Sequence, residues 1–202
     1  MIAIVDYGRG NLRSAQKALE KLGFQAVITE DPAVISEAKG VILPGVGAFA
    51  DAMRQLRELG LVEPVLEAIR SGKPFLGICL GMQVLFEQGE EHGTHQGLGV
   101  FPGRVVKFPP GPKVPHMGWN QLNLKQDTPL LTGFPEGGTC YFVHSFYAAT
   151  SDWDVVLATS DYGLEFPAVV GRGQVFGVQF HPEKSSSLGM KILENFGGLV
   201  EK

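Results

Sequence analysis

The amino-acid sequence predicts an α/β protein: a single three-layer domain over residues 1–202, with a mainly parallel central sheet, helices on both faces and added antiparallel strands. Three observations lead there. Short apolar runs without polar alternation, such as 2–5, 40–43 and 75–78, are the mark of strands buried on both faces. Between them lie segments whose apolar residues recur at helical spacing, the alternation that builds a parallel sheet. The 202 residues, 44% hydrophobic and 19% charged, suffice for one full core but fall short of two typical domains.

In chain order, the first strand is Ile2 to Val5, followed by the turn-forming run Asp6-Tyr7-Gly8-Arg9-Gly10. A helix follows in which Leu12, Ala15, Leu19 and Leu22 share a face, with Asn11 placed to cap its start and Gly23 to stop it. Strands are expected at Phe24 to Thr29 and Gly40 to Leu43, then helices from about Ala48 to Glu58 and Val62 to Arg70, then a strand from Phe75 to Ile78. After Gly97 the pattern changes to Val-, Phe- and Tyr-rich runs separated by Pro and Gly. The runs at 100–108, 119–124, 140–147 and 155–160 predict antiparallel strands added to one side of the sheet. A last strand, Val175 to Gln179, precedes His181-Pro182-Glu183. The closing helix buries Leu188, Ile192, Phe196 and Leu199 and takes its cap from Ser185 to Ser187.

A net charge of −4 and the lack of any Lys/Arg run argue against a phosphate-neutralising nucleic-acid surface. Gly, Pro or charge interrupts every apolar run well short of the roughly 20 residues that span a bilayer. No basic segment precedes the first apolar run, so no signal peptide is expected and a cytoplasmic location is. Two cysteines in such a chain are expected to stay reduced, and each calls for its own explanation.

Cys79 stands in Gly77-Ile78-Cys79-Leu80-Gly81-Met82-Gln83, a buried strand running into a helical pattern. This is the nucleophile-elbow arrangement with Cys in place of Ser. Glycines two residues either side remove side chains that would collide across so tight a turn, leaving the thiol exposed at the sheet's end. The helix N-terminus beside it places partial positive charge near the sulfur, favouring its nucleophilic form. A small buried hydrophobe is the ordinary role of an intracellular Cys, and the paired glycines decide against it. Cys140 lies in an apolar strand without such glycines and is read as core.

A thiol nucleophile needs a base and a group to orient that base. His181 and Glu183 supply both within one turn at a strand's C-terminal end, where open α/β sheets place their sites. By itself His-Pro-Glu is equally a solvated turn, and Cys79 and His181 are 102 residues apart, so only the fold can join them. His92, His95, His116 and His144 are the competing histidines; none belongs to a Cys/His cluster of metal-site spacing, and no metal or cofactor is expected. Amide hydrolysis also needs N–H donors for an oxyanion. The run Pro44-Gly45-Val46-Gly47-Ala48-Phe49, between a strand and a helix, is the candidate because its glycines let the backbone reorient.

Taken together and in this order, Pro-Gly-Val-Gly, Gly-Ile-Cys-Leu-Gly-Met-Gln and His-Pro-Glu-Lys-Ser resemble the class I (triad-type) glutamine amidotransferases, across nearly the whole chain. Asp6-Tyr7-Gly8-Arg9-Gly10-Asn11, Pro115-His116-Met117-Gly118-Trp119-Asn120 and Tyr141-Phe142-Val143-His144-Ser145-Phe146 are similar to one subfamily, the glutaminase subunits of imidazole glycerol phosphate synthase.

The resemblance implies a flavodoxin-like fold and a Cys79, His181 and Glu183 triad that hydrolyses L-glutamine through a γ-glutamyl thioester on Cys79. It implies oxyanion donors from Gly45, Val46 and Gly47 together with the Leu80 amide, and a glutamine pocket formed by Gln83, Glu91 and the backbone of His144, Ser145 and Phe146. It also implies a partner, a (β/α)₈-barrel cyclase that receives the ammonia for histidine biosynthesis. Asn11, Trp119 and Lys184 are candidates for contacts with that partner. Poor activity of the subunit alone is expected, since a flexible glycine loop need not present its donor until the partner binds. A related glutaminase feeding another synthase and a catalytically silent module of the same fold are the alternatives.

Overall fold

The structure is a computed structural model and describes residues 1–202. Its strands are β1 (Ile2–Val5), β2 (Ala26–Thr29), β3 (Gly40–Gly45), β4 (Phe75–Cys79), β5 (Phe86–Gly89), β6 (His95–Gln96), β7 (Phe101–Lys107), β8 (His116–Gln121), β9 (Asn123–Leu124), β10 (Thr139–His144), β11 (Phe146–Ala149), β12 (Val156–Asp161), β13 (Glu165–Arg172) and β14 (Val175–Val178). The α-helices are α1 (Leu12–Lys21), α2 (Pro32–Glu37), α3 (Phe49–Glu58), α4 (Val62–Arg70), α5 (Leu80–Gln83) and α6 (Ser186–Val200). Eight strands form the main sheet in the order β2-β1-β3-β4-β14-β13-β12-β9. The first five of these are mutually parallel and the last three extend the sheet antiparallel.

Because side chains alternate across a strand, an uninterrupted apolar run feeds two cores. Ile2 and Ile4 of β1 face one core, which α1 (Ala15, Leu19) and α6 (Ile192, Phe196) close. Ala3 and Val5 face the other, closed by Ile35 of α2, Leu56 of α3 and Val65 of α4. Each fully buried Leu, Ile or Phe here contributes about 1.5–3 kcal/mol by leaving water. Helix α1 ends as the sequence predicts: Gly23 takes φ +90° and the Phe24 amide turns back to the Leu19 carbonyl at 3.0 Å.

Several expectations are corrected. Helix α2 was not expected, although Asp31-Pro32 is a start signal; the Asp31 carboxylate accepts from the Ala33 amide at 2.8 Å. Strands β5, β6 and β13 were also absent from the sequence reading. The helix after Cys79 is only one turn long, because the chain turns back at Val84 into β5. The later runs do not all join one side of the main sheet. Strands β12 and β9 do, whereas β10-β8 and β11-β7-β5-β6 make two separate small sheets. Neither expected cap forms through its side chain: the Asn11 and Ser185 side chains make longer-range bonds instead.

Candidate active site

The nucleophile turn lies between β3 and β14, at the C-terminal end of β4. Cys79 has φ +55° and ψ −110°, a strained conformation for a residue with a Cβ. The flanking glycines are there for space. A Cβ on Gly77 would come within 2.6 Å of the Gly81 carbonyl oxygen, and one on Gly81 would collide with the Leu43 carbonyl of β3. Cys79 is buried, 6% exposed, and lines a cavity of about 330 Å³. Cys140 is wholly buried on β10, as expected for core, and burial pushes its thiol up to about 12.

The cavity unites residues far apart in sequence. Val46 and Gly47 from the loop after β3, Cys79 and Leu80 from the elbow, Gln83, Glu91, His144, Ser145, Phe146 and His181 all line it. Gly45 is packed behind this wall, where a Cβ would strike the Tyr7 hydroxyl and come within 2.9 Å of the Leu80 Cβ. Gly47 takes φ +100°, a conformation that only glycine adopts without strain. The Glu91 carboxylate accepts from the Phe49 amide at 3.0 Å, anchoring its loop to the N-terminus of α3 and facing that helix dipole.

His181 Nδ1 donates to Glu183 Oε1 at 2.9 Å, and both side chains are only 2% exposed. The Asn11 amide donates to the same oxygen at 3.0 Å. Burial alone would lower the His181 imidazole, but the neighbouring Cys79 sulfur and the Glu183 carboxylate outweigh it and push it up to about 10. Burial likewise opposes charge on Glu183. The bonds from His181 and Asn11 outweigh it and hold the carboxyl below its usual range. His181 Nε2 is buried without a hydrogen-bond partner, on a ring that lines the cavity.

The turn carrying the histidine is pinned from behind. Ser185 Oγ donates to the His181 carbonyl at 2.6 Å and accepts from the Tyr141 amide at 2.9 Å. Asn11, Trp119 and Lys184 gather around this turn. Asn11 bonds to Glu183, Lys184 follows it exposed, and Trp119, 56% exposed on β8, sets its ring edge-on to Tyr141. Exposure of Trp119 runs against the usual burial of tryptophan. Asn11 differs from a simple surface contact because its amide is spent on the triad-type carboxylate.

Gln179 stands beside the nucleophile although no motif marks it. It is fully buried, and its Nε2 lies 3.8 Å from Cys79 Sγ. The clue was a polar residue between buried apolar neighbours, Val178-Gln179-Phe180, just past the end of β14. His92 and His95 do not line the cavity, and no group of three or more His, Cys, Asp or Glu side chains could hold a metal ion.

Comparison with known proteins agrees with this geometry. A family profile described as "Glutamine amidotransferase class-I" matches residues 3–198. The imidazole glycerol phosphate synthase subunit HisH of Desulfitobacterium hafniense (strain DSM 10664 / DCB-2) is 60% identical over 202 residues, covering 100% of this chain and 96% of that one. HisH of Geobacillus sp. (strain WCH70) is 55% identical over 207 residues, covering 100% and 98%. Among solved structures, a glutamine amidotransferase superposes with a TM-score of 0.77 at 21% identity over 100% of both chains. PurLQS from Thermotoga maritima does so with 0.73 at 24%, covering 99% of this chain and 96% of that one. At those identities the structures establish the fold alone. With the cavity, the elbow and these relatives taken together, the chain belongs to the class-I glutamine amidotransferases, within the family of imidazole glycerol phosphate synthase HisH subunits.

Proposed function

We propose that residues 1–202 act as one glutaminase unit in which Cys79 attacks the γ-carboxamide of L-glutamine, with His181 as proton carrier and Glu183 as its orienter. The observation that carries this reading is the convergence of Cys79 and His181 on one cavity, with Glu183 2.9 Å behind the imidazole. Glutamine enters with its γ-carbonyl against Cys79 and its amino-acid end toward Gln83, Glu91 and the His144–Phe146 segment. Attack by the sulfur forms a tetrahedral oxyanion, which takes hydrogen bonds from the Leu80 amide and from an amide of the Gly45–Gly47 loop.

The imidazolium form of His181, favoured by its raised pKa, gives its proton to the departing nitrogen, and ammonia leaves. A γ-glutamyl thioester remains on Cys79. His181 then draws a proton from water, hydroxide attacks the thioester, and glutamate and the sulfur are released.

The partner is a (β/α)₈-barrel cyclase, and Asn11, Trp119 and Lys184 form part of the docking face. Ammonia freed into water would be protonated and lost by diffusion, so a subunit of this kind serves only when docked on the enzyme that consumes it. The product made with the partner is imidazole glycerol phosphate, on the route to histidine. Amino-acid biosynthesis of this kind places the work in the cytoplasm, and no helix is long and apolar enough to cross a membrane. Glutamate release by the purified chain with a cyclase from a HisH-containing organism and its nucleotide substrate tests the reading. Activity dependent on both cyclase and Cys79 supports it; release that survives Cys79→Ala sinks it.

A further inference from the structure

A line of polar side chains that the triad does not use, half-buried at Asn120 and buried beyond it, runs from β8 to the nucleophile. Asn120 fixes its direction at one end. Asn120 Oδ1 accepts from the Gln121 amide at 2.8 Å and its Nδ2 donates to the Asp161 carbonyl at 2.7 Å, so the same nitrogen faces His116 Nε2, 3.2 Å away. That nitrogen of His116 therefore accepts, and its proton sits on Nδ1. His116 Nδ1 lies 2.9 Å from His144 Nε2, and His144 Nδ1 lies 2.8 Å from the Phe146 carbonyl. A carbonyl can only accept, so His144 carries its proton on Nδ1 and takes the bond from His116 on Nε2. Burial holds His116 down at about 4 and His144 at about 3, so both rings are neutral at physiological pH, as this pattern requires.

The Phe146 carbonyl is also the anchor for the second half. Gln83 Nε2 donates to it at 3.0 Å and to Gln179 Oε1 at 3.0 Å. With its oxygen committed to Gln83, Gln179 must turn its Nε2 toward Cys79 Sγ, 3.8 Å away. Gln179 is fully buried, and Cys79 Sγ is the partner its Nε2 meets there. An amide donor aimed at a sulfur is most favourable when that sulfur carries charge.

We propose that Gln179 is a further catalytic residue, whose Nε2–H group donates to Cys79 Sγ and holds the sulfur in its attacking position. The ordered Asn120, His116, His144 and Gln83 set supplies the orientation. His116 is then a positioning residue, clasped between the stacked rings of Phe142 at 4.9 Å and Tyr162 at 4.1 Å. The inference depends on Cys79 being the glutaminase nucleophile.

Its test compares wild type, Gln179→Leu, His116→Phe and Cys79→Ala, each docked on the cyclase. Three readouts are taken: glutamine kcat and KM, the rate of Cys79 alkylation by iodoacetamide followed on the Cys79 peptide, and thermal melting. Gln179→Leu should lower kcat and alkylation about tenfold while KM stays within about threefold, since the lost bond to a charged acceptor amounts to about one decade of rate. His116→Phe keeps the aromatic stack and should lower both rates in the same direction by a smaller factor. A folded Gln179→Leu with both rates within twofold of wild type would overturn the proposal. Should that variant not fold, the wild-type protein decides: alkylation of Cys79 must move the Gln179 side-chain amide ¹⁵N and ¹H resonances, and unchanged resonances overturn the proposal. Glutaminase activity surviving Cys79→Ala would instead refute the nucleophile itself, a separate failure.

Discussion

The substitution Glu183→Gln removes a charge and almost nothing else. The carboxamide oxygen that replaces the carboxylate can still accept from His181 Nδ1 and from Asn11, which in the native protein reach one and the same oxygen at 2.9 and 3.0 Å, so ring orientation is largely kept. What disappears is the charge that helps hold His181 protonated. A charge-assisted hydrogen bond contributes about 1.5–3 kcal/mol. Two unit charges about 4 Å apart at an effective dielectric of about 20 gain about 4 kcal/mol. With both side chains 2% exposed, water does little to screen the loss. At about 1.4 kcal/mol per decade these figures bracket a fall in kcat between about tenfold and about a thousandfold. KM for glutamine should stay within about threefold, since Glu183 does not line the cavity. The assay is steady-state glutamate release by the docked enzyme, with an NMR titration of the His181 ring alongside. The imidazole should titrate at lower pH in the variant. A kcat above a third of wild type, or an unchanged His181 titration, would refute the argument that the carboxylate charge maintains the imidazolium.

Other consequences follow from the same geometry. His181 is raised from an ordinary 6.5 to about 10, so its contribution to stability is full below pH 6.5 and drains away as pH climbs toward 10. Glu183 is depressed, so its contribution is present above its ordinary 4.5 and is lost as acid titrates the folded carboxyl. The melting-temperature gap between wild type and His181→Asn should therefore be widest near pH 5–6 and narrow steadily toward pH 10. Gly81→Ala puts a methyl group against the Leu43 carbonyl; it should destabilise the fold by at least about 1–3 kcal/mol, seen in denaturant melts, and slow Cys79 alkylation. Tyr7→Phe deletes a buried hydroxyl that has no partner and should raise stability by about 1 kcal/mol, a few degrees in melting temperature for a chain of this size.

How much of this the sequence disclosed depends on the range of the interactions. Local signals were readable: Gly77 and Gly81 announced the elbow because the turn's own geometry demands them, and Gly23 announced the end of α1. The double-sided strands were readable because their apolar runs feed two cores at once. Side-chain partnerships across the chain were not. Asn11 has the residue type of a helix cap, yet its amide goes to Glu183, 172 positions away, and Ser185 Oγ likewise accepts from the Tyr141 amide, 44 positions away. Gln179 stood in plain view at the end of an apolar run, but its meaning comes from Cys79 and Gln83, 100 and 96 positions off. The short strands β5 and β6 and the strand β13 were missed for a related reason: their pairing partners, not their own sequences, make them strands.

The central claim is that Cys79 releases ammonia from glutamine for a docked cyclase. The most direct measurement is glutamate release by wild type and Cys79→Ala, each alone and with the cyclase bound to its nucleotide substrate. The account predicts turnover that rises steeply with the liganded cyclase and disappears in the variant; equal turnover by wild type and Cys79→Ala would contradict it.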